Sequence, residues 1–101
     1  MHDSVTAFGS HPQMTALSNG EIIIVWDESQ LIGNKVNRRI GIERRTAEGK
    51  TEASDYLTTE DSNATYPVVA AVSGAASIVA YSIKRNDKDY ICYQVVSLRP
   101  Y

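Results

Sequence analysis

The most apolar stretch of the chain is residues 21–26, where four consecutive β-branched side chains are followed by tryptophan. β-branched residues are stiff about χ1 and pack well on a pleated surface, so this stretch predicts a strand rather than a helix. The segment at residues 11–17 leads into this run across Ser18, Asn19 and Gly20. Because Asn-Gly between two such runs is a strong hairpin signal, the pattern predicts an antiparallel pair of strands.

This pair of strands occurs twice. Adding 55 to a residue number carries His11-Pro12 to Tyr66-Pro67, and it carries the run that ends at Trp26 to one that ends at Tyr81. Neither proline can donate to a strand ladder, so we expect both at the start of a strand or on a sheet edge. The repeat predicts two structural units that share a core within one domain.

The remaining pattern predicts an all-β domain over residues 1–101, with units at about 10–57 and 65–98. Four strands are expected in the first unit and three in the second, at about residues 13–17, 21–27, 38–45, 51–57, 68–72, 76–82 and 90–97. Another short strand is expected at residues 4–8.

Two connections are predicted to be loops, at residues 28–37 and 84–89. The first is long for a hairpin and is therefore a candidate functional loop. The second unit is four residues shorter between its second and third strands, because Ile40 corresponds to Ile91 at an offset of 51. We expect a loop to absorb this loss, since loops tolerate changes in length better than strands do.

Composition excludes several classes of function. The net charge of −2 provides no electrostatic footprint for nucleic acid or an anionic membrane. The single cysteine, Cys92, excludes an intrachain disulfide and any multi-cysteine metal site, and we expect no cofactor. No apolar run is long enough to span a membrane. The sequence does not determine the cellular compartment. If the parent protein is exported, we expect that its signal peptide was removed before this numbering begins.

A four-stranded antiparallel repeat of about 40–55 residues is typical of a β-propeller blade. A propeller needs at least four blades, so two units cannot close a ring by themselves. We therefore expect either a piece of a longer propeller or a homo-oligomer built by head-to-tail contacts, in which three copies would give six blades. The strand at residues 4–8 is then expected to complete a blade in another copy or segment.

The chain resembles sialidase-like β-propellers with Asp-box, or bacterial neuraminidase, repeats. The resemblance spans nearly the whole chain and rests on His11-Pro12, residues 18–21, residues 24–26 and the turn at residues 45–52. Of the Asp-box pattern Ser-x-Asp-x-Gly-x-Thr-Trp, this turn retains Gly49 and Thr51. No counterpart of the sialidase arginine motif or catalytic set is assignable. The resemblance therefore implies the propeller fold and no catalytic residue.

Six of the ten cations are concentrated between residues 35 and 50: Lys35, Arg38, Arg39, Arg44, Arg45 and Lys50. Arginine offers a planar fork of donors to a carboxylate, sulfate or phosphate, which makes Arg38 and Arg39 candidates for binding an acidic carbohydrate. The alternative is that the cations pair with the acidic residues of the same region, as charges at strand edges commonly do. Those residues are Glu43, Glu48, Glu52 and Asp55.

Trp26 and Tyr81 are predicted at the ends of equivalent strands, where an aromatic ring either stacks on a sugar or packs between blades. Asp27 and Glu28 follow Trp26 directly. Adjacent strand residues point to opposite faces, so we expect no shared acid–base chemistry and interpret the pair as the solvated start of a loop. His2 and His11 lie too far apart, with no further soft ligand nearby, to predict a metal site.

Together these patterns favour a non-catalytic β-propeller module that binds carbohydrate or a protein partner and assembles as an oligomeric ring. The candidate ligand-binding residues are Arg38, Arg39, Trp26 and Tyr81. The alternative is a fragment, or an oligomeric variant, of a sialidase-like glycoside hydrolase.

Overall fold

The computed structural model describes residues 9–59, 62–73 and 76–98. Over these residues the fold is all-β and consists of two antiparallel sheets. The strands are β1 (Gly9–Ala16), β2 (Ile22–Ile32), β3 (Lys35–Arg45), β4 (Thr51–Tyr56), β5 (Ala64–Ala71), β6 (Ser77–Arg85) and β7 (Lys88–Val96). Sheet A has the order β1-β2-β3-β4 and sheet B the order β5-β6-β7, which confirms the predicted four and three strands. The strand expected at residues 4–8 lies outside the described residues.

The central hairpin of sheet A is longer than the sequence predicted. β2 and β3 stay paired without interruption from Ile22 and Arg45 to Ile32 and Lys35. The functional loop predicted at residues 28–37 is therefore wrong, and only a two-residue turn joins the strands. Gly33 occupies this turn at φ 60°, a conformation that glycine adopts without a steric penalty.

The loop predicted at residues 84–89 is wrong for the same reason. Pairing between β6 and β7 continues to Arg85 and Lys88, which leaves Asn86 and Asp87 as the turn. Their φ angles of 51° and 62° are both left-handed, as the tight turn of a twisted hairpin requires.

The four-residue difference between the units is absorbed by the strands and not by a loop. β2 and β3 have 11 residues each, whereas β6 and β7 have 9 each. Side chains alternate between faces with a period of two, so the removal of two residues from each strand leaves every remaining side chain on its original face. The loss therefore preserves the alternation of faces along both strands, which is why the strands tolerate it.

Pro12 and Pro67 lie in the edge strands β1 and β5, as predicted. The pairing register breaks around each of them, between Ser10 and Gln13 and between Thr65 and Val68. A bulge on an edge strand accommodates a residue that lacks an N–H group. The residues before the prolines, His11 and Tyr66, have φ angles of 51° and 54°.

The hydrophobic core lies between the two sheets. It is formed by Leu17, Ile23, Val25, Ile40 and Ile42 from sheet A and by Ala64, Val79, Tyr81 and Ile83 from sheet B. β5 crosses this interface and lies against β1, β2 and β3. We call the surfaces that meet here the inner faces of sheets A and B, and the opposite surfaces their outer faces.

Candidate functional site

Asp27 is the centre of a polar cluster on the inner face of sheet A, and its side chain is completely buried. Arg38, on the neighbouring strand, donates to Oδ1 from Nε at 2.9 Å and also from Nη2. The same guanidinium donates to the Asp27 carbonyl oxygen at 3.1 Å and to the Ser29 hydroxyl. A buried carboxylate is tolerated only when it is paired and hydrogen-bonded. Arg38 provides the opposite charge and the hydrogen bonds to one of the two carboxylate oxygens, Oδ1.

His11 and Tyr66 bind the other carboxylate oxygen of Asp27, Oδ2. His11 Nδ1 lies 2.8 Å from Asp27 Oδ2, and because a carboxylate oxygen only accepts, this nitrogen carries the proton. The Tyr66 backbone N–H donates to the same oxygen at 2.8 Å. The two rings are in contact, with their centroids 4.3 Å apart. Equivalent residues of the repeat, one from each sheet, thus converge on a single carboxylate.

A second cluster lies on the outer face of sheet A around Glu28. Trp26 Nε1 donates to Glu28 Oε1 at 2.7 Å, and Arg39 Nη2 donates to Oε2 at 3.2 Å. The Tyr56 hydroxyl donates to the same Oε2 at 3.3 Å, and the Arg39 guanidinium lies 3.5 Å from the centre of the Tyr56 ring. Burial, followed by the nearby Glu28 charge, raises the pKa of Tyr56. Within this cluster the positive charge of Arg39 therefore neutralises the negative charge of Glu28.

The indole of Trp26 lies over Gly41, its partner across the ladder, because Gly41 has no side chain. A Cβ atom added to Gly41 would lie 2.3 Å from Trp26 Cζ2. The glycine thus creates the space that the indole fills.

A third cluster joins the end of β7 to sheet A through Arg44. Its guanidinium donates to Glu21 and, at 2.6 Å, to the Leu98 carbonyl oxygen, while Nε lies 3.7 Å from Glu52 Oε1. Hydrogen bonding to Arg44 is the main reason that the pKa of Glu21 falls to about 2. Hydrogen bonding to the Glu21 carboxyl group raises the pKa of Glu52.

These clusters show where the predicted site residues lie. Arg38 and Arg39 point to opposite faces and are each bound to a carboxylate, so they do not form a joint site. Their partners, Asp27 and Glu28, precede them in the chain and are not among the acidic residues that the sequence suggested. The solvated loop start predicted for Asp27 and Glu28 is wrong, since both are buried within β2.

Trp26 and Tyr81 lie in the middle of their strands rather than at the ends. Only 5% and 6% of their respective surfaces are exposed, so neither offers a ring face to a sugar in this structure. Tyr81 is part of the inter-sheet core, and its hydroxyl accepts a hydrogen bond from Gln94 Nε2 at 2.8 Å.

The feature that sequence reasoning missed is the outer face of sheet B. Its β7 positions alternate with the inward-facing ones and carry Ile91, Tyr93 and Val95, all strongly exposed. Val68 on β5 belongs to the same surface. The sequence did contain a signal for this face. A sheet with one face in solvent carries polar residues at every second position, and β7 has apolar residues there instead.

Two hollows adjoin this face. The larger, of about 490 Å³, lies at the β6–β7 turn and is lined by Ile83, Arg85, Asn86, Tyr90, Ile91 and Cys92. The smaller, of about 180 Å³, is lined by Tyr66, Val68, Ala80, Tyr81, Ser82 and Ile91.

No known protein family, curated protein or solved structure matches the chain. Within the described ranges there is no group of three or more side chains suited to hold a metal ion. The same residues include no helix long and apolar enough to span a membrane.

Proposed function

We propose that the chain is a non-catalytic module of the β-propeller type, which functions by packing against modules of its own kind through the outer face of sheet B. The supporting observation is a contrast between equivalent positions. Ile40 is 0% exposed and its equivalent Ile91 is 76% exposed, while Leu17 is 4% exposed and its equivalent Val72 is 60% exposed. The residues that form the core in sheet A thus remain uncovered in sheet B.

A continuous exposed apolar surface marks an interaction site, whereas single exposed apolar residues need no explanation. Burying an isoleucine or valine side chain contributes about 1.5–3 kcal/mol, so several such residues on one face strongly favour a covering partner. The partner that fits is a β-sheet, because sheet A already covers the other side of sheet B by face-to-face packing.

The free edge of sheet B supports the same proposal. In the described part of the chain, β7 pairs only with β6, whereas its equivalent β3 also pairs with β4. Unpaired backbone groups along an edge strand favour the addition of another strand.

The test is the solution mass of the chain, measured by analytical ultracentrifugation. We expect a mass that is a multiple of 11.1 kDa and that falls to the monomer value in Ile91→Lys. Leu31→Lys is the matched control, because Leu31 is 72% exposed but lies near the β2–β3 turn, away from this face. A monomeric wild-type chain at concentrations up to 1 mM, a range in which weak assemblies still form, would contradict the proposal.

Carbohydrate binding is a second candidate function, and the larger hollow favours it. Arg38, Arg39, Arg44 and Arg45 are all ion-paired, but the side chain of Arg85 forms no hydrogen bond or ion pair with the described residues. It shares the hollow with the half-exposed ring of Tyr90. A guanidinium beside an aromatic ring suits a sugar that bears a carboxylate.

Binding of this kind is measured by NMR titration with sialic acid and glucuronic acid. We expect shifts at the β6–β7 turn that disappear in Arg85→Gln and persist in the neighbouring Lys84→Gln. Shifts that survive in Arg85→Gln would exclude this hollow as the site.

The hydrolase alternative has its own test. A fluorogenic sialoside should remain uncleaved by the wild-type chain if the module is non-catalytic. Turnover that follows the protein through purification and is lost on unfolding would replace the proposal with the enzymatic one.

A further inference from the structure

The two sheets present different faces of the repeat to each other. Adding 55 to Ile23 and Val25, on the inner face of sheet A, gives Ile78 and Ala80, on the outer face of sheet B. The inner face of sheet B is built around Val79, which corresponds to Ile24 on the outer face of sheet A. The contact within the chain is therefore head to tail, and the outer faces of the two sheets point away from it.

We infer that the outer face of sheet B binds the outer face of sheet A from a second copy of this chain, so that the contact between copies repeats the contact between the sheets. This inference rests on the proposed function and names the partner of the same surface. It continues an interface that the fold already contains. A contact between unlike faces leads to a ring if the rotation closes and to a filament if it does not.

A projection and a hollow support this pairing. At the contact within the chain, the bulge of β5 rests on sheet A: Tyr66 donates to Asp27, and the adjacent Pro67 is fully buried. The equivalent bulge in β1 carries Pro12, which is exposed. Sheet A thus has the same bulge that sheet B packs against it, and the proline of this bulge is exposed.

The smaller hollow lies where that projection would bind. Its lining residues Tyr66, Val68, Ala80, Ser82 and Ile91 are the equivalents of His11, Gln13, Val25, Asp27 and Ile40. Two of these sheet A residues contact the β5 bulge directly: Asp27 accepts a hydrogen bond from the Tyr66 N–H, and the His11 ring lies against the Tyr66 ring. Pro12 of a second copy would therefore fill this hollow, with the His11 backbone N–H directed at the Ser82 hydroxyl as the Tyr66 N–H is directed at Asp27.

The charges on the outer face of sheet A do not prevent burial. Glu28 is paired with Arg39, and Glu43 with Arg45, on the same face. Burying an isolated ion costs much free energy, but charges that are already paired can be covered without leaving such an ion. Met14, which corresponds to the core-packed Val69, is 62% exposed there and adds apolar surface to the contact.

Two variants, each blocked on one face, test the inference. Met14→Lys alters the outer face of sheet A, and Ile91→Lys alters the outer face of sheet B; both positions are exposed, so the isolated chain should fold. Circular dichroism checks each fold, and Pro12→Gln replaces Met14→Lys if that variant is unfolded. We expect each variant alone to be monomeric and an equimolar mixture to form a heterodimer of twice 11.1 kDa.

The remaining outcomes separate the two proposals. Self-association of Met14→Lys alone would show that like faces of sheet B pair, which overturns the head-to-tail inference and retains the proposed docking face. An oligomeric wild type with no heterodimer in the mixture would also overturn the inference alone. A monomeric wild type would overturn both.

Discussion

The Tyr66 backbone N–H lies 2.8 Å from Asp27 Oδ2, so a fully buried carboxylate of sheet A is completed by a strand of sheet B. The two residues are 39 positions apart, and the bond forms only when the sheets are packed. Hydrophobic packing alone is non-directional and would allow the sheets to slide. Asp27 therefore fixes how one sheet lies on the other.

Replacement of Asp27 by asparagine should destabilise the chain by about 3 kcal/mol, because it leaves the partly buried Arg38 without its counter-charge. Urea denaturation measures this change. Asp55→Asn is the matched control, since the side chain of Asp55 is exposed and, among the described residues, accepts a bond only from the next backbone N–H. Equal losses in the two variants would contradict the role assigned to Asp27.

Gly41→Ala should displace Trp26 from β3 and break its hydrogen bond to Glu28, at a cost of about 2 kcal/mol for overpacking. Trp26 is the only tryptophan, so its fluorescence emission reports the displacement directly. We expect a red shift in Gly41→Ala and little change in Cys92→Ala, the equivalent position opposite Tyr81 in sheet B. An unshifted emission would show that the indole does not depend on the glycine.

Glu21 should titrate near pH 2 in an NMR experiment and return toward its ordinary value of 4.5 in Arg44→Gln. Since the pKa is lower in the folded state, the stability from this carboxylate is present above pH 4.5 and is lost as the pH falls toward 2. Glu52, with a raised pKa, acts in the opposite direction and reduces the net loss. A Glu21 pKa that stays low in Arg44→Gln would assign the shift to another cause.

Asp87→Gly should stabilise the chain by about 0.5–1 kcal/mol, because glycine relieves the left-handed backbone at the second turn position. Thermal unfolding measures the gain. Asp89→Gly, within β7, should lower stability instead. Loss of stability in Asp87→Gly would indicate a longer loop of the kind that the sequence first suggested.

The repeat was recoverable from sequence because its signals are local. The β-branched run at residues 22–25 and the shared Pro12 and Pro67 identify the strands and the two units without any tertiary information. The number of strands in each sheet followed from the same pattern.

The hairpin lengths and the site were not recoverable, because both depend on contacts across strands. The sequence suggested that Asp27 begins a solvated loop, yet it lies within β2 and its carboxylate accepts a hydrogen bond from Arg38 on the neighbouring strand. The sequence placed Ile91 and Tyr93 in a strand but did not show which face of the sheet would be covered, and both side chains are exposed. Which face of a strand is covered depends on how the two sheets pack, and this is not visible in the sequence of the strand.

The most direct test of head-to-tail assembly is photo-cross-linking from the exposed face. Tyr93 is replaced by the photoreactive aromatic p-benzoylphenylalanine, and an equal mixture of isotopically light and heavy chains is irradiated and analysed by peptide mass spectrometry. The account predicts cross-links from position 93 of one copy to β1 or β2 of a different copy. Cross-links that join β7 to β7 of two copies, or that form only within a chain, would contradict it.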